Sequence, residues 1–99
     1  MKLSTFLASH SWCQGALAGD AAGEPCEPQW PEAVSWSLLG AMILLPLNDY
    51  LRAARLLLAE LPPIDLYRSP WHQSPIRKWN DQPGRTKEDV IELCRRLDI

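Results

Sequence analysis

Apolar residues recur at helical spacing in several stretches of this chain, and the intervals between them are crowded with glycine and proline. Leu3, Phe6, Leu7 and His10 fall on one face at that spacing, which predicts a short amphipathic helix over residues 2–10. From Trp12 to Pro31 no period holds: Gly15, Gly19, Gly23, Pro25, Pro28 and Pro31 punctuate the backbone too often for regular helix. This stretch reads as a loop or a short hairpin, with Gly19-Asp20 through Gly23 supplying the turn. Pro31 and Glu32 then suit the first turn of a second helix. In AVSWSLLGAMILL, Val34, Leu38, Met42 and Leu45 form one stripe, and Trp36, Leu39, Ile43 and Leu44 widen it into the most buried helix. Gly40 costs about 1 kcal/mol relative to alanine in mid-helix. Its position predicts the close approach of another backbone or of a Trp ring.

Pro46 stops that helix, and Asn48 is placed to cap a third, DYLRAARLLLAEL. The short connection predicts an antiparallel pair, with Tyr50, Leu51, Ala54, Leu57, Leu58 and Leu61 on the facing stripe and Arg52, Arg55 and Glu60 towards water. Pro62-Pro63 ends the helix, and IDLYRSPWHQ follows without a sustained period, as a loop. Ser74-Pro75 predicts a single helical turn through Trp79 that points Ile76 and Trp79 inward. Thr86 with Asp89 approximates a capping box for a last helix, whose apolar face is Val90, Ile91, Cys94 and Leu97. The expectation is mainly α: one domain over residues 1–99, a compact small bundle of about four helices with a long Gly/Pro-rich N-terminal loop or short hairpin.

Composition narrows the function classes. The 99 residues carry a net charge of −2, which disfavours nucleic acid, since each neutralised phosphate needs a Lys or Arg. Through residue 64, three bases face six acids; beyond it, seven bases face six acids, a bias too small to identify a partner. A chain of this length buries only about 60–65% of its unfolded surface, so a protein partner or self-association would add stability. Three cysteines, Cys13, Cys26 and Cys94, are an odd set that favours reduced thiols and a cytoplasmic setting. The N-terminus imitates a secretory leader, but Ser4, Thr5, Ser9, His10, Ser11 and Gln14 interrupt its apolar run. LLGAMILLPL falls short of the ~20 apolar residues a membrane span needs.

Trp12, Gln14, Gly15 and Ala16, then Asp20 and Gly23, then Gly40 and Ala41 in WSLLGA, and finally Asn80, Asp81 and Thr86 in WNDQPGRTKEDVIEL form an ordered series. The series resembles a small bacterial and phage family known as domain of unknown function 6197. Its pattern runs Trp-x-Gln-Gly-Ala with an Asp-x-x-Gly, then Cys-x-x-Gly-Ala in a helix, then Asn-Asp followed by Thr and a helix. Most of the chain is covered, in three blocks, and residues 62–73 lie outside them. Where the family often has cysteine in the central helix, this chain has Ser37, which puts a thiol activity there in doubt. The resemblance implies a soluble, mainly helical domain of actinobacterial or phage genomes, and it implies no reaction.

Candidate chemistry is sparse. Cys13 stands three residues after His10, with His72 elsewhere in the chain, but no nucleophile motif surrounds it and a small buried hydrophobe is the simpler reading. His10, Cys13, Cys26 and His72 lack the paired spacing of a zinc site. Glu24 and Glu27 read as solvated loop charges. No residue is assigned as catalytic or metal-binding, and no cofactor is expected. The five tryptophans read mostly as core, with Trp71 the best candidate for an exposed contact because it stands with Arg68 and His72 in a proline-rich loop. Asn80 and Asp81 admit two readings. Their side chains either bond backbone groups ahead of the Pro83-Gly84 turn, the favoured one, or join Trp12, Gln14 and Asp20 around a polar cleft.

The reading these features support is a small accessory protein acting as a protein-interaction module through Arg68, Trp71 and His72, of phage or mobile-element origin by its resemblance. Two alternatives stay open: a small hydrolase- or transferase-like enzyme with its cleft at Gln14, Asp20, Asn80 and Asp81, and a phage-encoded inhibitor of a host protein.

Overall fold

The computed structural model describes residues 1–61 and 75–99. The elements are α1 (Leu3–Ser9), β1 (Ser11–Trp12), β2 (Ala18–Gly19), β3 (Pro25–Cys26), β4 (Ser35–Trp36), α2 (Leu38–Ile43), α3 (Leu47–Glu60), α4 (Pro75–Asn80) and α5 (Lys87–Arg96). Four short strands form one mixed sheet in the order β1-β4-β2-β3. The fold is therefore α/β, which corrects the expected mainly α bundle. Its Gly/Pro-rich stretch holds the hairpin β2–β3, and the flanks of that stretch supply the other two strands.

The sheet is built by pairings remote in sequence. β4 runs parallel to β1, with Trp12 opposite Trp36, and antiparallel to β2, with Ala18 opposite Trp36. Val34 N–H donates to Gly19 O (2.9 Å), Ser37 N–H to Leu17 O (3.0 Å) and Cys13 N–H to Trp36 O (3.1 Å), so β4 is tied on both sides. Residues 34–36, expected in the second helix, are thus extended. Reverse turns closed by Trp30 N–H to Glu27 O and Ala33 N–H to Trp30 O, both 3.1 Å, deliver the chain to the sheet. The helix cannot start before Ser37, which is its N-cap: the Ser37 backbone is extended and its Oγ accepts from Gly40 N–H at 3.1 Å.

Gly40 meets a backbone. A Cβ there would lie 1.8 Å from Leu17 O, so α2 rests directly on the strand-side peptide that Ser37 also bonds through its N–H and Oγ. Beneath it, α1 packs against α2 and α5. Leu3, Leu7, Leu38, Met42, Leu57, Val90 and Cys94 are fully enclosed there. Ile99 closes the same core, and its carbonyl accepts from Ser4 N–H at 3.3 Å. An aromatic cluster seals the seam between helix and sheet: His10 stacks on Phe6 (4.0 Å), and both meet the edge of Trp36. The Trp36 indole donates to Pro28 O (3.0 Å).

Two helices depart from their expected faces or ends. α3 starts after Pro46 rather than at an Asn48 cap. It buries Ala53 and Leu57, and its C-cap Leu61 is buried too, while Leu51 (54% exposed) and Leu58 (48%) turn outward with Leu47 (69%). A 100° turn per residue makes this unavoidable, because Leu56, Leu57 and Leu58 are consecutive and cannot share one direction. α5 starts at its capping box: Thr86 Oγ1 accepts from Asp89 N–H and Asp89 Oδ2 from Thr86 N–H, each at 3.1 Å. Ser74 lies outside the described residues. Among the described residues, no helix is long and apolar enough to cross a membrane.

Candidate functional site

The junction between sheet and helices is organised by a single side chain. Asn80, the last residue of α4, is completely buried, and its amide uses all four of its hydrogen-bonding positions. Oδ1 accepts from the Trp12 indole N–H (2.7 Å) and from Leu38 N–H (3.0 Å); Nδ2 donates to Cys13 O (3.2 Å) and to Asp81 Oδ1 (2.9 Å). Two donors on one side and two acceptors on the other fix the amide in this orientation, since the flipped one would oppose like groups at all four contacts. Leu38 is the first residue of α2, so Asn80 completes from a distance the capping that Ser37 begins.

Neighbouring polar groups extend the hub. Gln14 Nε2 donates to Asn80 O (2.9 Å) and Gln82 O (3.0 Å), and Asp81 Oδ1 accepts from Gly15 N–H (3.0 Å). Gly15 has a φ of +82°, which side-chain-bearing residues rarely adopt, so this tight return of the chain towards Asp81 suits glycine. Arg77 Nε stands 3.9 Å from Asp81 Oδ2 on the same helical face. A turn at Pro83-Gly84 follows, closed by Arg85 N–H to Gln82 O (3.0 Å).

The structure thus brings Trp12, Gln14, Asn80 and Asp81 together and leaves Asp20 apart. Asp20 Oδ1 accepts from Ala22 N–H and Glu24 N–H, both at 2.9 Å, and shapes the β2–β3 turn. Among the described residues no carboxylate pair converges beside the hub, and Asn80 Oδ1, Asp81 Oδ1 and Asp20 Oδ1 are all directed at N–H groups. Arg68, Trp71 and His72 lie outside the described residues.

The thiols are held protonated. Burial pushes Cys94 up to about 12. Burial, reinforced by Asp81 and Cys26 and opposed by a hydrogen bond from Ser35, raises Cys13. Burial and then the carboxylates of Asp20, Glu32 and Glu27 raise Cys26. A reactive thiolate needs the opposite environment, a nearby cation or helix N-terminus. Among the described residues, no three His, Cys, Asp or Glu side chains gather as a metal site.

A cavity of about 330 Å³ opens between the end of α3, Trp79 and α5. Both of its arginines are engaged. Arg85 lies over the Trp79 ring at 4.0 Å and donates to Trp79 O and Gln82 Oε1, while Arg96 pairs with Glu60 at 2.8 Å.

Two exposed features have no counterpart in the sequence reading: the outward leucines of α3, and Trp30, 53% exposed above β3. The first had a signal, because α3 carries more leucine than one helical face can bury. Trp30 had none beyond its proline-rich setting.

These features define a class: a small α/β domain in which a buried asparagine locks an N-terminal four-stranded sheet to a helical layer. The model of a family of unknown function, DUF6197, matches residues 2–97, and the chain belongs to that family. No curated protein and no solved structure matches it.

Proposed function

We propose that this member of the family works as a protein-interaction module, with the outer face of α3 as its contact surface. The observation behind this reading is the line Leu47, Leu51 and Leu58, spaced to lie on one side of the helix and each about half exposed or more. Exposed leucines grouped on one rigid element favour a partner, whereas single scattered ones are ordinary surface. Ala54 lies within the line, and Arg55 borders it. That border suits a partner whose apolar segment carries acidic residues at its rim. The Asn80 hub is compatible with such a role, because its polar groups hold the fold together rather than converge on a ligand.

The test is a comparison of wild type with a Leu51→Glu/Leu58→Glu double variant, both immobilised and exposed to the native host proteome. A protein retained by wild type and lost by the folded variant is the expected result. Identical capture by the two would remove α3 as the contact surface.

A further inference from the structure

Trp30 stands over a groove of about 450 Å³ lined by Asp20, Pro25, Cys26, Pro31 and Glu32. A half-exposed indole on a small domain is a large apolar face left to water. Among the described residues that line the groove it is bordered by negative charge, with no positive charge to balance it. No Lys or Arg occurs between Leu3 and Leu51 in the sequence, and none lines the groove among the described residues. Asp20 commits Oδ1 to its turn, and neither its Oδ2 nor the Glu32 carboxylate has a hydrogen-bond or ion-pair partner among the described residues. The raised thiol of Cys26 reports the same local field, since Asp20, Glu32 and Glu27 all contribute to it after burial.

The groove also lies beside a sheet edge, because β3 is the outermost strand. Pro25 removes a donor from that edge, so an added β-strand would find an incomplete ladder. Recognition there falls to side chains. A planar guanidinium satisfies both halves of the groove: it stacks on an indole face and forks towards carboxylates, which a compact ammonium does less well.

We propose that the Trp30 groove is a docking site for an arginine side chain of a partner protein, with the indole as platform and Asp20 and Glu32 as counter-charges. The site is distinct from the α3 face and does not depend on it.

A capped Gly-Arg-Gly-Arg-Gly peptide, titrated into the ¹⁵N-labelled full chain at low ionic strength, tests this directly. The Trp30 indole signal, identified by its loss in Trp30→Ala, and the amides of residues 20–32 should shift saturably. The glutamine analogue of the peptide should leave them in place, and the lysine analogue should bind more weakly. Folded Trp30→Ala should weaken binding of the arginine peptide about 3-fold, as a solvent-exposed cation–π contact predicts. Glu32→Gln should weaken it by a similar ~2- to 5-fold, as a surface ion pair predicts. The Leu51→Glu/Leu58→Glu protein should respond as wild type does, which separates this site from the α3 surface. The proposal is overturned by equal shifts with the glutamine peptide, by affinity unchanged in both groove variants, or by shifts centred on the acids of α5. It is likewise overturned if the Trp30 signal moves with protein concentration alone, which would assign the groove to a second copy of the chain.

Discussion

Around Asn80, the polar groups of the hub turn inward and the Asn80 amide is fully bonded; along the outer face of α3, three leucines point outward and touch little. The two regions invert the usual arrangement of polar outside and apolar inside, for different reasons. A buried amide is tolerable only when all its bonds are made, and it then specifies one geometry among the segments it joins. A half-exposed leucine contributes far less to the isolated fold than a buried one, so the two regions should respond differently to mutation: severe loss in the first, a small effect in the second.

The largest effect is expected at Gly40, where the hub meets the sheet. An alanine Cβ 1.8 Å from Leu17 O cannot be relieved by a rotamer change, because the obstacle is backbone. α2 would have to lift off the sheet and lose the Ser37 bonds to Leu17. Gly40→Ala should therefore cost more than about 4 kcal/mol, a large share of a small domain's stability. Far-UV circular dichroism during urea titration checks this: the variant should lack a cooperative transition at room temperature. Gly23→Ala is the useful contrast, since its φ is +81° but nothing crowds it, and strain of about 1–2 kcal/mol is expected there.

Asn80 should come next. Asn80→Ala strands the Leu38 N–H and the Trp12 indole in the interior, at about 3 kcal/mol, measured by the shift of the urea midpoint. Asn80→Asp keeps the shape and the acceptor but places an anionic oxygen against Cys13 O and Asp81 Oδ1. It should be at least as damaging at pH 7, and partly recovered at about pH 4 as the introduced carboxylate takes up a proton. Indifference of stability to both substitutions would reopen the cleft reading of Asn80 and Asp81.

The hub also explains what the sequence could and could not disclose. The Thr86–Asp89 capping box was legible because both of its bonds close over three residues. Asn80 reaches partners 68, 42 and 67 positions away, and no local pattern encodes such distances. The sheet escaped for a related reason. Each strand is two residues long, too short to show the alternation that marks a strand, and Ser35-Trp36 sits inside an apolar run whose helical period continues into α2. Ser37 carried the missed signal: a serine three residues ahead of Gly40, placed to cap a helix beginning at Leu38. Gly40 itself was readable as crowding, while Leu17 as its neighbour was not. At the opposite surface, helical spacing places Leu51 and Leu58 on the inward stripe, but the apolar stripe of α3 is wider than the core it covers and both turn outward.

A smaller effect tests the sealed interior by pH. The folded-state pKa of Cys94 is raised by burial from 9.0 to about 12, so the native thiol holds its proton where the unfolded one has lost it. Its contribution to stability is whole below pH 9 and is lost progressively as pH rises towards 12. A full single-proton difference has a slope of about 1.4 kcal/mol per pH unit. Comparing urea midpoints at pH 8.5 and 10.5, wild type should lose more stability than Cys94→Ala, whose lower starting value reflects the cavity. Equal slopes would mean that the Cys94 site admits water.

The smallest effect on stability is expected from Leu51→Glu/Leu58→Glu, and it sharpens the comparison most. Both side chains are about half exposed, so the isolated domain should keep its urea midpoint within about 0.5 kcal/mol. Glutamate is also a good helix former, and Arg55 stands four residues after position 51 and three before position 58 on the same helix. Wild type should bind an apolar dye such as anilinonaphthalene sulfonate at this face, and the variant should not. A stable variant that has lost both dye and partner would separate the two regions cleanly, one built for the fold and the other for what the fold presents. A variant destabilised as strongly as Asn80→Ala would show instead that the α3 leucines are covered within the chain itself, and the contact surface would have to be sought elsewhere.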